Sequence, residues 1–267
     1  MKTKLITLFT ILLFSLQTLT AQEQESPKWK FGMSGSVGYR TSNIEDGIKI
    51  LESLGLQSDD VKSFYNHLRW TPSFNIEAYH LIKPQWGVGL KYSFAKNSRS
   101  TEWYKKEAHS IYPESYRSLE WGSEEKKFTH FIAPTAYFQI WLNAKQNLQL
   151  TAELSLGYVR YYGQSAFSKL MGHYFHEFNS LIKYDPANDP FLMEGYYKGN
   201  TFGQAFGVGL EYFFHKRWAV GVDLSYFFAH VKNKKEFAYY GKYIKFDLPK
   251  TYGLNRLDLS AGIRFYM

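Results

Sequence analysis

Leu148-Gln149-Leu150-Thr151-Ala152-Glu153-Leu154-Ser155-Leu156-Gly157-Tyr158 alternates without a break. Leu148, Leu150, Ala152, Leu154, Leu156 and Tyr158 fall on one parity, and Gln149, Thr151, Glu153, Ser155 and Gly157 on the other. Successive side chains of a strand point to opposite faces, so this stretch is a strand with one apolar and one polar face. The pattern recurs outward in both directions. Trp29 to Arg40, Trp86 to Phe94, Trp218 to Phe228 and Leu257 to Met267 repeat it cleanly, and Leu68–Leu81, Phe128–Leu142 and Phe206–Tyr212 repeat it with interruptions. Eight strands are expected, each long enough for the 9–11 residues that cross a bilayer at a tilt.

Composition narrows what such strands build. Of 267 residues, 19% are aromatic, with 22 Phe, 22 Tyr and 7 Trp, and Cys is absent. Mean hydropathy is −0.38, too low for a bundle of membrane helices, and beyond residue 22 no apolar run reaches the 18 or so residues of a spanning helix. Disordered chains are poor in aromatics, so disorder is excluded as well. Without Cys there are no disulfides, thiolate zinc sites, cysteine nucleophiles or lipidated cysteine anchor.

Residues 1–21 read as a secretory signal: Lys2 and Lys4, an apolar stretch from Leu5 to Leu16, then Leu19-Thr20-Ala21 before Gln22. Gln22 to Lys28 is a polar lead-in, and residues 29–267 form one barrel domain. Removing Lys2 and Lys4 takes the formal charge from +8 to +6. On an exported chain that excess does not indicate nucleic-acid binding.

The connections alternate in length. Thr41–His67, Ser98–Lys126, Gln164–Gly199 and Lys232–Gly253 are long, whereas Ile82–Gln85, Asn143–Asn147 and His215–Arg217 are short. Short periplasmic turns and four long extracellular loops are expected of an eight-stranded antiparallel up-and-down transmembrane β-barrel in the cell outer membrane. Strand glycines such as Gly32, Gly89, Gly157 and Gly207 fall on the polar parity, where a narrow barrel interior favours small residues. Trp29, Trp86, Trp141 and Trp218 mark the turn side, and Tyr39, Trp70, Tyr158 and Tyr226 the loop side, as aromatic girdles would.

On these strands, turns and girdles the chain resembles the small bacterial outer-membrane β-barrel proteins, the OmpA/OmpX-like and PorT-like eight-stranded barrels. The resemblance covers Trp29 to Met267 and rests on pattern rather than a unique motif. It implies export and insertion by the barrel-assembly machinery, which reads an amphipathic last strand ending in an aromatic. Here the strand ends Phe265-Tyr266-Met267, so the terminal residue departs from the usual Phe, while Phe265 keeps the apolar parity. Pro72 and Pro134 lie inside strand segments and predict local bulges or pairing that stops near the loop-side rim.

On the inward parity, Lys30, Lys91 and Arg264 oppose Glu77, Glu153, Glu211, Asp223 and Asp258. Buried charges must be paired, so an ion-pair network filling the barrel is expected, with an ion or proton path as its rival. His67, His130 and His230 lie near loop-side strand ends without the tight Ser–His–acid spacing of a hydrolase. His173, His176 and Glu177 look like metal ligands, but a lone H-x-x-H in a polar loop is a frequent accident. No catalytic, cofactor-binding or metal residue is therefore assigned.

Within Thr41–His67, Ile48, Leu51, Leu54, Val61, Phe64 and Tyr65 follow helical spacing, and Ser58-Asp59-Asp60 is a helix start. The last loop carries Lys232, Lys234, Lys235, Lys242, Lys245 and Lys250 among Phe237, Tyr239, Tyr240, Tyr243, Phe246 and Tyr252. Such basic-aromatic strips suit anionic surfaces, including lipopolysaccharide phosphates. The expectation is a non-enzymatic surface-interaction or secretion/assembly-accessory barrel. Its partners would be outer-membrane lipid, lipopolysaccharide and an envelope protein. A lipid A-modifying enzyme and a small-solute channel are the alternatives.

Overall fold

A computed structural model of the chain describes residues 27–42, 45–53, 56–108, 116–175, 180–183, 193–232, 234–239 and 251–267. The signal peptide and most of the polar lead-in lie outside the described residues. In chain order the elements are β1 (Trp29–Arg40), α1 (Glu45–Ser53), α2 (Ser58–His67), β2 (Trp70–Lys83), β3 (Trp86–Ala108), β4 (Tyr116–Trp141), β5 (Leu148–Phe175), β6 (Ser180–Lys183), β7 (Met193–His215), β8 (Trp218–Lys232), β9 (Lys234–Tyr239), β10 (Thr251–Gly253) and β11 (Arg256–Tyr266).

Eight of these strands close into an antiparallel ring in the order β1-β2-β3-β4-β5-β7-β8-β11 and back to β1. Closure satisfies every ladder without leaving an edge, which is what hydrocarbon demands of a sheet. The register fixes the size. Starting at Lys30, the paired residues run through Tyr79, Gly89, Thr135, Ser155, Ala205, Phe227 and Arg256, and arrive back on β1 at Arg40, ten residues further along. A shear of ten over eight strands gives a tilt of about 40° and a backbone radius of about 8 Å. Only side chains fit inside.

Apolar and polar faces are inverted relative to a soluble protein. Met33, Leu154 and Leu259 are 57%, 54% and 59% exposed, whereas Lys30, Ser155 and Arg264 are 2%, 0% and 2% exposed. β1 alternates between the two states along its whole length. Trp29, Trp86, Trp141 and Trp218 stand on the outer wall at the turn end, and Tyr39, Trp70, Tyr158 and Tyr226 at the loop end.

Both described ends of the chain meet at the turn end, where Lys28 and Trp29 N–H donate to the Met267 carbonyl at 2.8 Å. Pro84-Gln85 and Lys216-Arg217 turn β2 into β3 and β7 into β8. In the third turn the Asn143 side-chain oxygen accepts from Asn147 and Leu148 N–H at 3.2 and 3.3 Å. Gln146 takes a left-handed φ of 52° there.

At the loop end the structure departs from the expected loops. β3, β4, β5 and β7 are 23, 26, 28 and 23 residues long. Much of Ser98–Lys126 and Gln164–Gly199 is therefore strand, raised above the barrel as a sheet that β6 and β9 join. Its sequence, from Ser98-Arg99-Ser100-Thr101-Glu102 onward, carries no run of alternating apolar residues to reveal it. Pro72 behaves as expected, since β2–β3 pairing ends beside it at Ser73 and Ala95. Pro134 does not produce a bulge. The β4–β5 ladder skips Ala133 and Pro134 and resumes at Thr135–Ser155 in unchanged register. The register shifts fall instead beside turns, at Leu81/Lys83 and Phe213/His215.

Candidate functional site

The interior divides into three levels along the barrel. At the turn end, Lys30 Nζ lies 2.6 Å from Glu211 and 3.6 Å from Glu77. Arg264 bridges Glu77 through Nε and Asp223 through Nη2, each at 2.7 Å. The Nε–Glu77 contact lacks hydrogen-bond alignment, so its attraction is that of an ion pair. Lys91 pairs with Glu153. Tyr79 donates to Glu153 at 2.9 Å, and Tyr266 donates to Glu211 at 2.5 Å. The Tyr79 and Tyr137 rings stack at 4.7 Å, and Lys30 Nζ stands 4.0 Å above the Tyr137 ring. Three cations and four carboxylates are thus cross-linked by phenols, with Lys30, Glu211 and Arg264 almost wholly buried.

Glycines paired with these residues on neighbouring strands make this density possible. A Cβ on Gly32 would come within 2.7 Å of the Arg264 Cδ, and one on Gly89 within 2.6 Å of the Tyr79 ring. The middle level is small and polar: Thr135 and Ser155 hydroxyls are 2.8 Å apart, and Asn75 donates to Ser34 and Ser36 at 3.3 and 3.2 Å.

The loop-end level has an apolar collar and a basic mouth. Phe131, Val159, Ala205, Phe227 and Val231 pack across the bore. Beside Phe227, Arg256 Nε holds Asp258 at 2.8 and 2.9 Å, and nearer the rim Lys127 pairs with Glu125. Tyr65 on α2 donates to Glu125 at 3.2 Å, and Asn97 donates to the Leu68 carbonyl at 2.7 Å. With Val61, Phe64 and Leu68 buried, α2 sits over the mouth. A cavity of about 40 Å³ remains beneath it, walled by Arg40, Lys127, Arg256, Thr129, Tyr252 and Leu68 among others. Burial acts to raise the Tyr252 phenol, but Arg40 and Lys127 outweigh it and hold the group below its ordinary range.

Against the sequence expectations, Lys30, Lys91, Arg264, Glu77, Glu153, Glu211 and Asp223 come together as one network. Asp258 does not join them. It pairs with Arg256, a residue just before the strand start expected at Leu257. Arg40, Arg256, Lys127 and Glu125 were not anticipated as interior charges, although Arg40 shares the parity of Lys30, and Arg256 that of Asp258. The helix start at Ser58 falls where expected.

The loop-side histidines are not brought together. His67 is exposed on α2 and bonds the Ser63 carbonyl at 2.8 Å. His130 lies on the outer wall 2.9 Å from the Tyr92 hydroxyl. His230 packs edge-on to Phe228. Among the described residues no group of three His, Asp or Glu converges as a metal site. His173 lies in β5, and its backbone pairs with Ile182. His176 and Glu177 lie outside the described residues, as do Lys242, Lys245 and Lys250.

Residues 6–265 match the outer membrane protein beta-barrel domain family. The chain belongs to that family. It is accordingly an outer-membrane barrel, and its apolar wall meets membrane lipid. Solved structures of small barrels align over most of its length at low identity. Ail, the attachment invasion locus protein of Yersinia pestis, is 15% identical over 89% of this chain and 97% of its own, with a TM-score of 0.32. Neisserial surface protein A is 13% identical over 90% and 97%, with a TM-score of 0.39. Acinetobacter baumannii CarO is 12% identical over 92% and 100%, with a TM-score of 0.33. No curated protein matches the chain.

Proposed function

We propose that this outer-membrane barrel is a non-enzymatic surface-interaction or assembly-accessory protein that does not conduct solutes. Its turn end faces the periplasm and its loop end presents a docking sheet outward. The observation that carries this reading is the raised sheet. Beyond Ala95, β3 leaves β2 and runs to Ala108 paired only with β4 among the described residues. A strand edge of this kind offers backbone donors and acceptors to a partner strand. Arg99 and Glu102 lie along it, and such charges reject promiscuous pairing while favouring a partner of complementary pattern. Basic and aromatic residues of the last loop suit lipopolysaccharide phosphates as a further contact.

The test is site-specific photo-crosslinking from Arg99 and Ser100, both exposed, in native membranes, with Leu154 on the lipid wall as control. The expected result is one discrete protein adduct from the edge positions and lipid adducts alone from Leu154. Identical lipid-only adducts from all three positions would remove the docking role. Lipid A whose mass changes with the presence of the protein would instead establish the enzyme alternative.

A further inference from the structure

Among the described residues, the basic mouth is the one level of the interior whose positive charge exceeds its local carboxylates. Arg256 is matched by Asp258 and Lys127 by Glu125. Arg40 has no carboxylate partner among the described residues. Its guanidinium donates to Ser42 at 2.6 Å, to the Tyr252 hydroxyl and to the Gly253 carbonyl at 3.1 Å. Arg40 is 8% exposed, and an arginine does not shed its proton to escape burial. The turn-end network holds one carboxylate more than cations, but its Asp223 is already held by Arg264 and aligns with Ser36, about 13 Å of strand below Arg40. That is too far to serve as a counter-ion. A buried charge with only neutral acceptors is costly, and a counter-charge placed beside it is strongly favoured.

The space for one exists. The cavity of about 40 Å³ is about three times the 10–15 Å³ that one water requires. It is large enough for a halide with a water and too small for a sugar or a lipid headgroup. Three cationic side chains and the hydroxyls of Thr129 and Tyr161 line it, all of them donors to an anion.

We propose that this cavity is a binding site for a small inorganic anion of the chloride class, with Arg40 as its principal ligand and Lys127 and Arg256 completing the positive wall. The site locks the mouth. It ties β1, β4 and β11 to the β10 segment beneath α2, so anion occupancy stabilises the loop end of the barrel.

The experiment is thermal unfolding of the purified full-length barrel in detergent. Sodium chloride or bromide is exchanged for sodium gluconate at constant ionic strength, and bromide-soaked crystals are read by anomalous scattering. A Tm that rises and saturates with halide concentration is expected, as for any ligand that binds only the folded state, together with a bromide peak in the cavity. Arg40→Gln should flatten the halide response. Should that variant not fold, Lys127→Gln is expected to weaken the response several-fold. Equal Tm values in halide and gluconate would overturn the proposal. So would a bromide-free cavity, or a response to inorganic phosphate alone. A phenolate absorption band in gluconate at neutral pH that disappears in Tyr252→Phe would overturn it too, by assigning the counter-charge to Tyr252.

Discussion

Leu154 and Glu153 are neighbours on β5 that face opposite media: Leu154 is exposed on the lipid wall, while Glu153 turns inward to Lys91 and Tyr79. Leu154→Arg near mid-bilayer is therefore expected to destabilise the barrel by roughly 2–4 kcal/mol in urea titrations of refolding into vesicles. If it refolds like wild type while Glu153→Leu behaves as a lipid-face change, the register is wrong by one residue, since a single slip exchanges the faces. Arg264 is a stronger case. It holds Glu77 and Asp223 at 2.7 Å with 2% exposure, so Arg264→Leu strands buried carboxylates and should cost on the order of 3–5 kcal/mol. A loss within error of zero in the same titration would show that the network does not support the fold. These interior charges were legible in the sequence because each shares a parity with serines and glycines inside an unbroken alternation. Arg40, Arg256, Lys127 and Glu125 were missed because they lie at or just beyond the loop-side ends of the expected strands: Arg40 closes the first, Arg256 precedes Leu257, and Glu125 and Lys127 precede Phe128.

Elements were legible to the extent that their two sides differ. The eight membrane crossings have lipid on one side and a packed polar interior on the other, and that contrast writes a period of two into the chain. Ser98, Arg99 and Ser100 are consecutive polar residues, all exposed, so they read as loop although they are strand. Helix α2 was visible from its start signal. Asp59 and Asp60 occupy its first turn, where the helix dipole favours acids, and Val61, Phe64 and Tyr65 supply its buried face. That face implies a separable element. Val61 is fully buried, so Val61→Asp places a carboxylate against the mouth and should release α2 while leaving the barrel ladders intact. Limited trypsin digestion reads this directly. Cleavage at the exposed Lys62 is expected to accelerate at least tenfold, with the barrel fragment still migrating as folded in unheated gels. Unchanged cleavage would mean that α2 does not depend on this contact.

At the scale of the whole molecule, a ring of eight strands with a shear of ten leaves a bore that phenols, ion pairs and an apolar collar fill at successive levels. Such a barrel should fractionate with the outer membrane and show heat-modifiable gel mobility. Recovery of the intact protein from the soluble periplasm would contradict the architecture. The proposed docking role of the loop-end sheet requires a lumen that is a packed core rather than a path. Lys30, Arg264, Glu77, Glu211 and Asp223 are stable there because they bind one another, and those same pairs occupy the route an ion would take. Single-channel recording of the purified wild-type barrel in a planar bilayer tests this most directly. A silent baseline broken only by rare, flickering events is expected, and stable, reproducible conductance steps would contradict a packed lumen.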